Sequence, residues 1–164
     1  MSVIADTTVL SNFASIRHLQ VLKEIFGVVY ITPQVYEEIR AGLRAGYLYY
    51  QDVEEGLKEG WLKFAVLTEE EMETCRQFLQ KLGAGEASAL AVASHRDWLL
   101  VTDDLRARKT AKKRNVKFAG TIGCLIRAVR TRICTMEQAN AWLAEMIETG
   151  YYSPVTRLEN LGEI

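Results

Sequence analysis

Short apolar segments with branched side chains alternate with longer segments of helical periodicity along this chain. Short apolar runs of this kind predict buried strands, and their alternation with helices is typical of a parallel sheet covered on both faces. We therefore expect an α/β fold of three α/β/α layers, with a short parallel sheet of four to five strands. The predicted strands lie at residues 2–5, 28–31, 61–67, 98–101 and 116–118.

Several helices have clear start signals in the sequence. Thr32 followed by Pro33 is a favourable helix start, and Thr68 with Glu71 forms a capping box, as does Thr135 with Gln138. The periodicity places the other helices at residues 16–26, 47–59, 85–95, 105–114 and 122–130, with Gly83 ending the helix that Thr68 begins.

The bulk composition predicts one domain over residues 1–164. The chain is 49% hydrophobic and contains two prolines, which suits a compact core and leaves no candidate linker. No segment approaches the roughly 20 apolar residues that cross a bilayer, so we expect a cytoplasmic protein with no membrane partner. Its three cysteines (Cys75, Cys124 and Cys134) lack the spacing of a zinc site, and we expect reduced structural thiols.

Acidic residues follow two of the predicted strands directly. Asp6 follows the first strand, and Asp103 and Asp104 follow the fourth. Ligands of parallel sheets bind beyond the carboxyl ends of the strands. A cleft lined by several carboxylates, with no obvious protein nucleophile, is typical of divalent-cation chemistry on phosphates.

Each acid also has a simple structural interpretation. Asp6 and one of Asp103 and Asp104 could cap the helices that follow them, and Glu86 could be stabilised by the dipole of the helix that it opens. Glu38 borders the core side of its helix, since it follows Val35 by three residues. The equivalent positions of these acids at one edge of the sheet favour a shared site. A phosphatase of the haloacid-dehalogenase type is disfavoured, because it needs an aspartate where Thr8 stands.

Charge is unevenly distributed along a chain whose net charge is −1. Residues 105–132 contain ten lysines and arginines and no acid, whereas residues 52–73 contain eight acids and two lysines. A basic stripe next to an acidic strand end could attract a polyanion, although a solvated helix surface would have the same composition.

Four segments of the chain together resemble the PIN domain and, more narrowly, the VapC-like ribonuclease toxins of prokaryotic toxin–antitoxin pairs. The similarity spans nearly the whole chain in the right order and implies a PIN-like α/β/α fold. The segments are residues 3–10 (VIADTTVL), 32–39 (TPQVYEEI), 85–90 (GEASAL) and 100–104 (LVTDD).

The resemblance also implies a set of site residues. The catalytic carboxylates fall on Asp6, Glu38, Glu86 and Asp104. Of these, Asp6, Glu86 and Asp104 would hold metal, and Glu86 stands where these toxins usually have an aspartate. Asp103 is an additional acid that could share the role of Asp104. Thr102 and Thr7 would support the acids, and RNA would be bound by Arg106, Arg108 and Lys109.

The function that the resemblance implies is an Mg²⁺- or Mn²⁺-dependent endoribonuclease, the toxin of a VapBC-type toxin–antitoxin pair. Such toxins commonly form homodimers and are inhibited by a small antitoxin protein. The aromatic segment at residues 47–50 is either a partner surface or a helix packed on its own core. The alternative function is a catalytically weak or inactive PIN-like module that binds RNA or protein.

Overall fold

The sheet of this protein is parallel and five-stranded in a computed structural model that describes residues 1–161. The strand order is β3-β2-β1-β4-β5, so the first strand lies at the centre between β2 and β4. The predicted parallel α/β sheet is confirmed. The strands are β1 Val3–Ala5, β2 Val29–Ile31, β3 Leu62–Phe64, β4 Leu99–Val101 and β5 Phe118–Ala119.

Nine α-helices cover the two faces of this sheet within residues 1–161. Single 3-10 turns at Leu48–Tyr50 and Leu158–Leu161 accompany them. The helices are α1 Thr7–Ser15, α2 Gln20–Phe26, α3 Pro33–Arg44, α4 Gln51–Glu59, α5 Glu69–Phe78, α6 Ala84–Arg96, α7 Leu105–Lys113, α8 Thr121–Arg130 and α9 Met136–Glu148.

Both predicted capping boxes are confirmed, at the starts of α5 and α9. Three other predictions were wrong at helix ends. The helix predicted from residue 16 begins at Gln20, because Arg17 turns the chain with a positive φ of 61°. The helix predicted from residue 47 begins with a 3-10 turn. α5 ends at Phe78, and Gly83 precedes α6 as its N-cap.

Successive side chains of each strand point to opposite faces of the sheet, and this divides the core into two layers. Val3 and Ala5 of β1 point into a cluster with α1, α2, α8 and α9, whereas Ile4 between them points into a cluster with α5, α6 and α7. In β4, Val101 points into the first of these clusters and Leu100 into the second. Because successive side chains of a strand face opposite sides, three central strands supply both layers at once.

Small residues allow α6 to pack at the centre of the second layer. Seven consecutive residues, from Ala87 to Ala93, are buried, and four of them are alanines. The helix contacts α3, α5 and α7 as well as β1 and β4. Its first turn therefore lies beside the carboxyl end of β1, where the predicted acids lie.

Two further features of the chain concern its environment. No helix within residues 1–161 has the length and apolarity needed to cross a membrane. The three cysteines are free and buried, which agrees with structural thiols.

We predict that Gly56→Ala in α4 lowers the free energy of unfolding by about 1–3 kcal/mol, the usual cost of overpacking. A Cβ at this position would lie 2.6 Å from Cδ1 of Leu62 and 3.0 Å from the ring of Trp61. Urea unfolding followed by circular dichroism measures the change. The matched control is Gly123→Ala in α8, whose Cβ would lie 3.4 Å from Ala119 and which should gain up to about 1 kcal/mol in helix propensity. Equal effects of the two substitutions would contradict this account of the packing.

Candidate active site at the carboxyl ends of the strands

Asp6 is fully buried where β1 passes into α1. Its backbone N–H donates to the Val101 carbonyl at 3.1 Å, which continues the pairing of β1 with β4. Its Oδ1 accepts from the backbone N–H of Thr8 at 3.0 Å and from the Thr8 hydroxyl at 2.6 Å, and its Oδ2 accepts from the Thr102 hydroxyl. Asp6 is thus the N-cap of α1 and, through Thr102, a link to the end of β4.

Glu38 approaches the same edge of the sheet from α3. Its Oε1 accepts from the Thr7 hydroxyl at 2.8 Å, and the backbone N–H of Gly85 in the first turn of α6 also donates to its carboxylate. The carboxylate lies so close to Gly85 that a Cβ at that position would overlap it. Glycine at position 85 is therefore what allows an α3 carboxylate to reach the N-terminus of α6. The adjacent Glu37 is exposed.

Glu86 is the third acid of this group and lies one residue beyond Gly85. It is half-buried, and its Oε2 lies 2.7 Å from the point that a Cβ of Gly83 would occupy, so its side chain turns back over the start of α6. Its negative charge contributes to raising the pKa of both Asp6 and Glu38. Glu86 therefore lies within electrostatic range of two of the other three predicted catalytic carboxylates.

The pKa values of Asp6 and Glu38 reflect this environment. Burial is the largest cause of a rise in the pKa of Asp6 to about 7, and its hydrogen bonds to Thr102 and Thr8 act in the opposite direction. Burial also raises the pKa of Glu38, against the hydrogen bond from Thr7. Carboxylates in such an environment hold protons unless a positive charge compensates them.

The two adjacent aspartates after β4 have different surroundings. Asp104 is the N-cap of α7, and its Oδ1 accepts from the backbone N–H of Ala107 at 2.8 Å. Both carboxylate oxygens of Asp103 accept hydrogen bonds from Thr121 at the start of α8. Its Oδ1 accepts from the Thr121 N–H at 2.8 Å, and its Oδ2 accepts from the Thr121 hydroxyl at 2.5 Å and from Asn12 Nδ2 at 2.9 Å. Asp103 therefore ties α1 to α8, whereas Asp104 uses one oxygen in its cap.

Two threonine hydroxyls join these aspartates into one network. The Thr8 hydroxyl donates to Asp6 and accepts from the Asp103 backbone N–H at 2.8 Å. The Thr102 hydroxyl donates to Asp6 and accepts from the Asp104 backbone N–H at 3.1 Å. The predicted supporting residues thus lie beside the acids, Thr102 at Asp6 and Thr7 at Glu38.

The predicted RNA-binding residues occupy two sides of α7. Arg106 and Arg108 line a cleft of 760 Å³ together with Asp103 and Asp104. Lys109 lines a separate hollow that also contains Lys81 and Lys113. Arg106 borders both depressions, so a continuous basic surface leads away from the acids.

The acids fit a hard divalent cation by their chemistry, since Mg²⁺ and Mn²⁺ prefer carboxylate oxygens. In the arrangement seen across residues 1–161, no three Asp, Glu, His or Cys side chains are grouped to hold a metal ion. Both Asp6 oxygens face threonine hydroxyls, and Oδ1 of Asp104 faces Ala107. Metal binding by Asp6 would have to use the remaining lone pairs of its oxygens or replace one of these hydrogen bonds, whereas Asp104 uses only one oxygen in its cap.

Sequence reasoning missed four residues that organise the site. Thr8 and Gly85 lie inside the motifs, and the interpretation of Asp6 as a helix cap already implies a bond to the backbone N–H two or three residues later, which includes Thr8. Asn12 and Thr121 hold Asp103 from positions far apart in the chain. No local pattern connects them, so only the folded arrangement reveals their role.

The comparison with protein families agrees with this geometry. A family model described as a PIN domain, DUF3368, matches residues 2–162. The chain belongs to the PIN-domain family. PIN domains are generally nucleases. None of the curated proteins matches the chain, and the narrower resemblance to VapC-like toxins stays a prediction.

We predict that this PIN domain, free of metal, loses stability as the pH rises from about 4 to about 7. The native state binds the Asp6 proton more tightly than the unfolded chain does, because the pKa is raised from 3.8 to about 7, so deprotonation favours unfolding. Glu38 contributes with the same sign. Urea unfolding in EDTA at about pH 5 and about pH 8 measures the difference, which is on the order of 1–4 kcal/mol for Asp6.

Asp6→Asn should remove much of this pH dependence, since an amide does not titrate in this range. The exposed Asp97 supplies the control, because Asn replaces it without strain at its positive φ of 54°. An unchanged pH dependence in the Asp6→Asn protein would show that the buried carboxylate is not its source.

Proposed function

We propose that this PIN domain is an Mg²⁺- or Mn²⁺-dependent endoribonuclease that hydrolyses RNA phosphodiester bonds in the cytoplasm. The observation that carries the proposal is the grouping of Asp6, Glu38 and Glu86, in which burial and the charge of Glu86 raise the pKa values of the other two acids. A buried carboxylate group of this kind is stabilised by a divalent cation, and such a cation is the usual partner of phosphate hydrolysis without a protein nucleophile.

The residues proposed to hold the cation are Asp6, Glu86 and Asp104. When bound, a divalent cation supplies Lewis-acid chemistry, neutralising charge on the phosphate and lowering the pKa of water. Thr102 orients Asp6 through its hydroxyl. Asp103 is already committed to Thr121 and Asn12, which favours Asp104 as the ligand after β4.

Glu38 is the proposed general base. Thr7 and Gly85 fix its carboxylate, and its raised pKa favours proton acceptance from an attacking water. Glu86 could orient the same water from the other side of Gly85. Neither histidine is placed for this role, since His18 stacks on Trp142 and His95 bonds to Thr74. Arg106 and Arg108 would offset the charge of the RNA backbone beside the acids.

A catalytically weak PIN-like module that binds RNA or protein is the second candidate. The observation that favours it is the complete burial of Asp6, whose two oxygens are both bonded to threonine hydroxyls. The two candidates differ in whether the acids can exchange these bonds for a cation.

The test of the nuclease is cleavage of single-stranded RNA by the purified chain, with Mg²⁺, with Mn²⁺ and with EDTA. We expect cleavage only with a cation. Asp6→Asn should lower kcat/KM by about 100-fold or more, because loss of even an outer partner of a metal ligand costs about 10- to 100-fold. Asp97→Asn, an exposed aspartate exchanged for the same amide, should keep full activity. Equal activity of wild type and Asp6→Asn would refute the proposal, and RNA binding without cleavage would favour the second candidate.

The same assay separates the two aspartates after β4. Asp104→Asn should lose activity while the unfolding free energy stays within about 0.5 kcal/mol, since Asn caps helices as well as Asp does. Asp103→Asn should instead lower the unfolding free energy by about 1–3 kcal/mol, because its amide N–H₂ would face the donors of Asn12 or Thr121. The reverse pattern would assign the metal to Asp103.

We further propose that the chain is the toxin of a VapBC-type pair, acting as a homodimer under control of a small antitoxin protein. The four family-like segments support this assignment, and Tyr47 and Leu48 leave 55% and 63% of their surface exposed for a partner. Tyr50 packs in the core instead. Its ring lies on Gly42, and its hydroxyl lies 2.5 Å from that of Ser11.

Expression of the chain alone in a bacterial host should arrest growth, because an uninhibited ribonuclease degrades cellular RNA. Co-expression of the small protein encoded beside it should restore growth, and the Asp6→Asn variant should not arrest growth at the same protein level. Colony counts and immunoblots measure both outcomes. Normal growth with active wild-type enzyme would argue for RNA processing rather than a toxin role.

A further inference from the structure

A cleft of 760 Å³ opens beside the acidic site on the side of Asp104. One wall comes from α1, a second from the first turn of α7, and a third from the segment that follows α9. The size is within the range of small-ligand pockets. Its lining includes Arg106, Arg108, Tyr151 and Tyr152.

The wall that follows α9 is aromatic. Tyr151 is half-buried against the core, with its hydroxyl group near Asp103, Arg108 and Ser153. Tyr152, the next residue, keeps 96% of its surface exposed at the rim of the cleft. Leu105 on the α7 side is 69% exposed. A planar apolar ligand could therefore lie against this wall and bury surface that the protein leaves open to water.

This wall is fixed at both ends. Gly150 turns the chain out of α9 with a φ of +116°, and the Tyr151 N–H donates to the Met146 carbonyl at 2.9 Å. Farther along, Asn140 of α9 accepts from the Leu158 N–H at 2.8 Å and donates to Glu159 at 2.8 Å. Because the segment is tied to α9 on either side of the tyrosines, its backbone holds both tyrosines at this side of the cleft before any ligand binds.

The opposite wall is basic. Arg106 and Arg108 form no ion pair with any acid in residues 1–161, and the guanidinium of Arg108 stacks on Phe118 with its carbon 5.2 Å from the ring centroid. Their charge is thus available to an anion in the cleft. A ligand that is both planar and apolar and also anionic has the chemistry of a nucleotide.

We propose that this cleft binds one unpaired nucleobase of the RNA strand, stacked on Tyr152, while Arg106 and Arg108 contact the adjoining phosphates. The inference deepens the proposed function and rests on it. A base within a duplex is already stacked and paired and cannot turn into the cleft, whereas an unpaired base stacks on an aromatic side chain whatever its sequence. The enzyme would therefore select single-stranded RNA next to the bond that it cleaves.

The experiment is a thermodynamic cycle between the tyrosine and the base. Fluorescence anisotropy measures the Kd of the wild-type chain, in EDTA to prevent turnover, for the shortest labelled single-stranded RNA that binds, which cannot shift along the cleft. The same measurement is made for versions of this RNA with one abasic nucleotide at each position. We expect Tyr152→Ala to weaken binding of the intact strand by about fivefold or more, the usual minimum for loss of one stacked base. One of the abasic substitutions should weaken RNA binding by the wild-type chain by the same factor. The same substitution should not weaken RNA binding by the Tyr152→Ala chain any further.

Matched variants separate stacking from other effects. Tyr152→Phe keeps the ring and should bind as wild type does. Phe64→Ala removes another exposed aromatic side chain, which lies neither at the cleft nor at the proposed partner surface, and should also have no effect. Since Tyr152 is almost fully exposed, its substitution leaves the core intact. A duplex of the same sequence should bind more weakly than the single strand.

Each outcome decides the proposal. Independent effects of Tyr152→Ala and every abasic position would overturn it, and so would equal binding of duplex and single strand or no binding of RNA. If the cycle shows coupling but the protein with Mg²⁺ or Mn²⁺ does not cleave, the base-binding cleft stands and the nuclease assignment fails. Coupling together with cleavage supports both.

Discussion

The buried carboxylate of Asp6 is the interaction on which the rest of the structure depends. Asp6 lies at the end of the central strand, where its backbone N–H continues the pairing of β1 with β4. Its Oδ1 caps the N-terminus of α1, and its Oδ2 accepts a hydrogen bond from the Thr102 hydroxyl just beyond β4. A carboxylate without exposed surface is costly unless hydrogen bonds or a cation compensate it. Two threonine hydroxyls and one backbone N–H provide part of that compensation here, and the same bonds align the segments that bear the other acids.

The second constraint is steric and concerns α6. Alanines allow this helix to lie close to β1 and β4, and Gly85 leaves room for the Glu38 carboxylate at its first turn. A helix with larger side chains would stand farther from the sheet, and Glu86 would then be too remote to influence Asp6. The small residues of α6 are uncharged, but they determine where the carboxylates of Glu38 and Glu86 lie.

The sequence revealed those parts of the structure that are encoded locally. Five strands, two capping boxes and the order of the acids follow from periodicity and from residue types within a few positions of one another. The start of α2 was missed because Arg17 adopts a left-handed conformation that its residue type does not favour. The contacts of Asp103 with Asn12 and Thr121 join residues that are 91 and 18 positions apart in the sequence, so no local rule could supply them. The aromatic wall at Tyr151 and Tyr152 was missed for the same reason, since these residues form one side of a cleft only because the fold places α7 opposite them.

Thr8 connects two regions that have been described separately. Its hydroxyl bonds to Asp6 within the acidic site, its side chain lines the cleft, and its oxygen accepts the N–H of Asp103. If Asp6 turns towards a cation, the Thr8 hydroxyl must find another acceptor, and the wall of the cleft changes with it. If a cation at the acids and a ligand in the cleft both act on Thr8 in this way, their binding equilibria are linked, and by thermodynamic reciprocity each would alter the affinity of the other by the same factor.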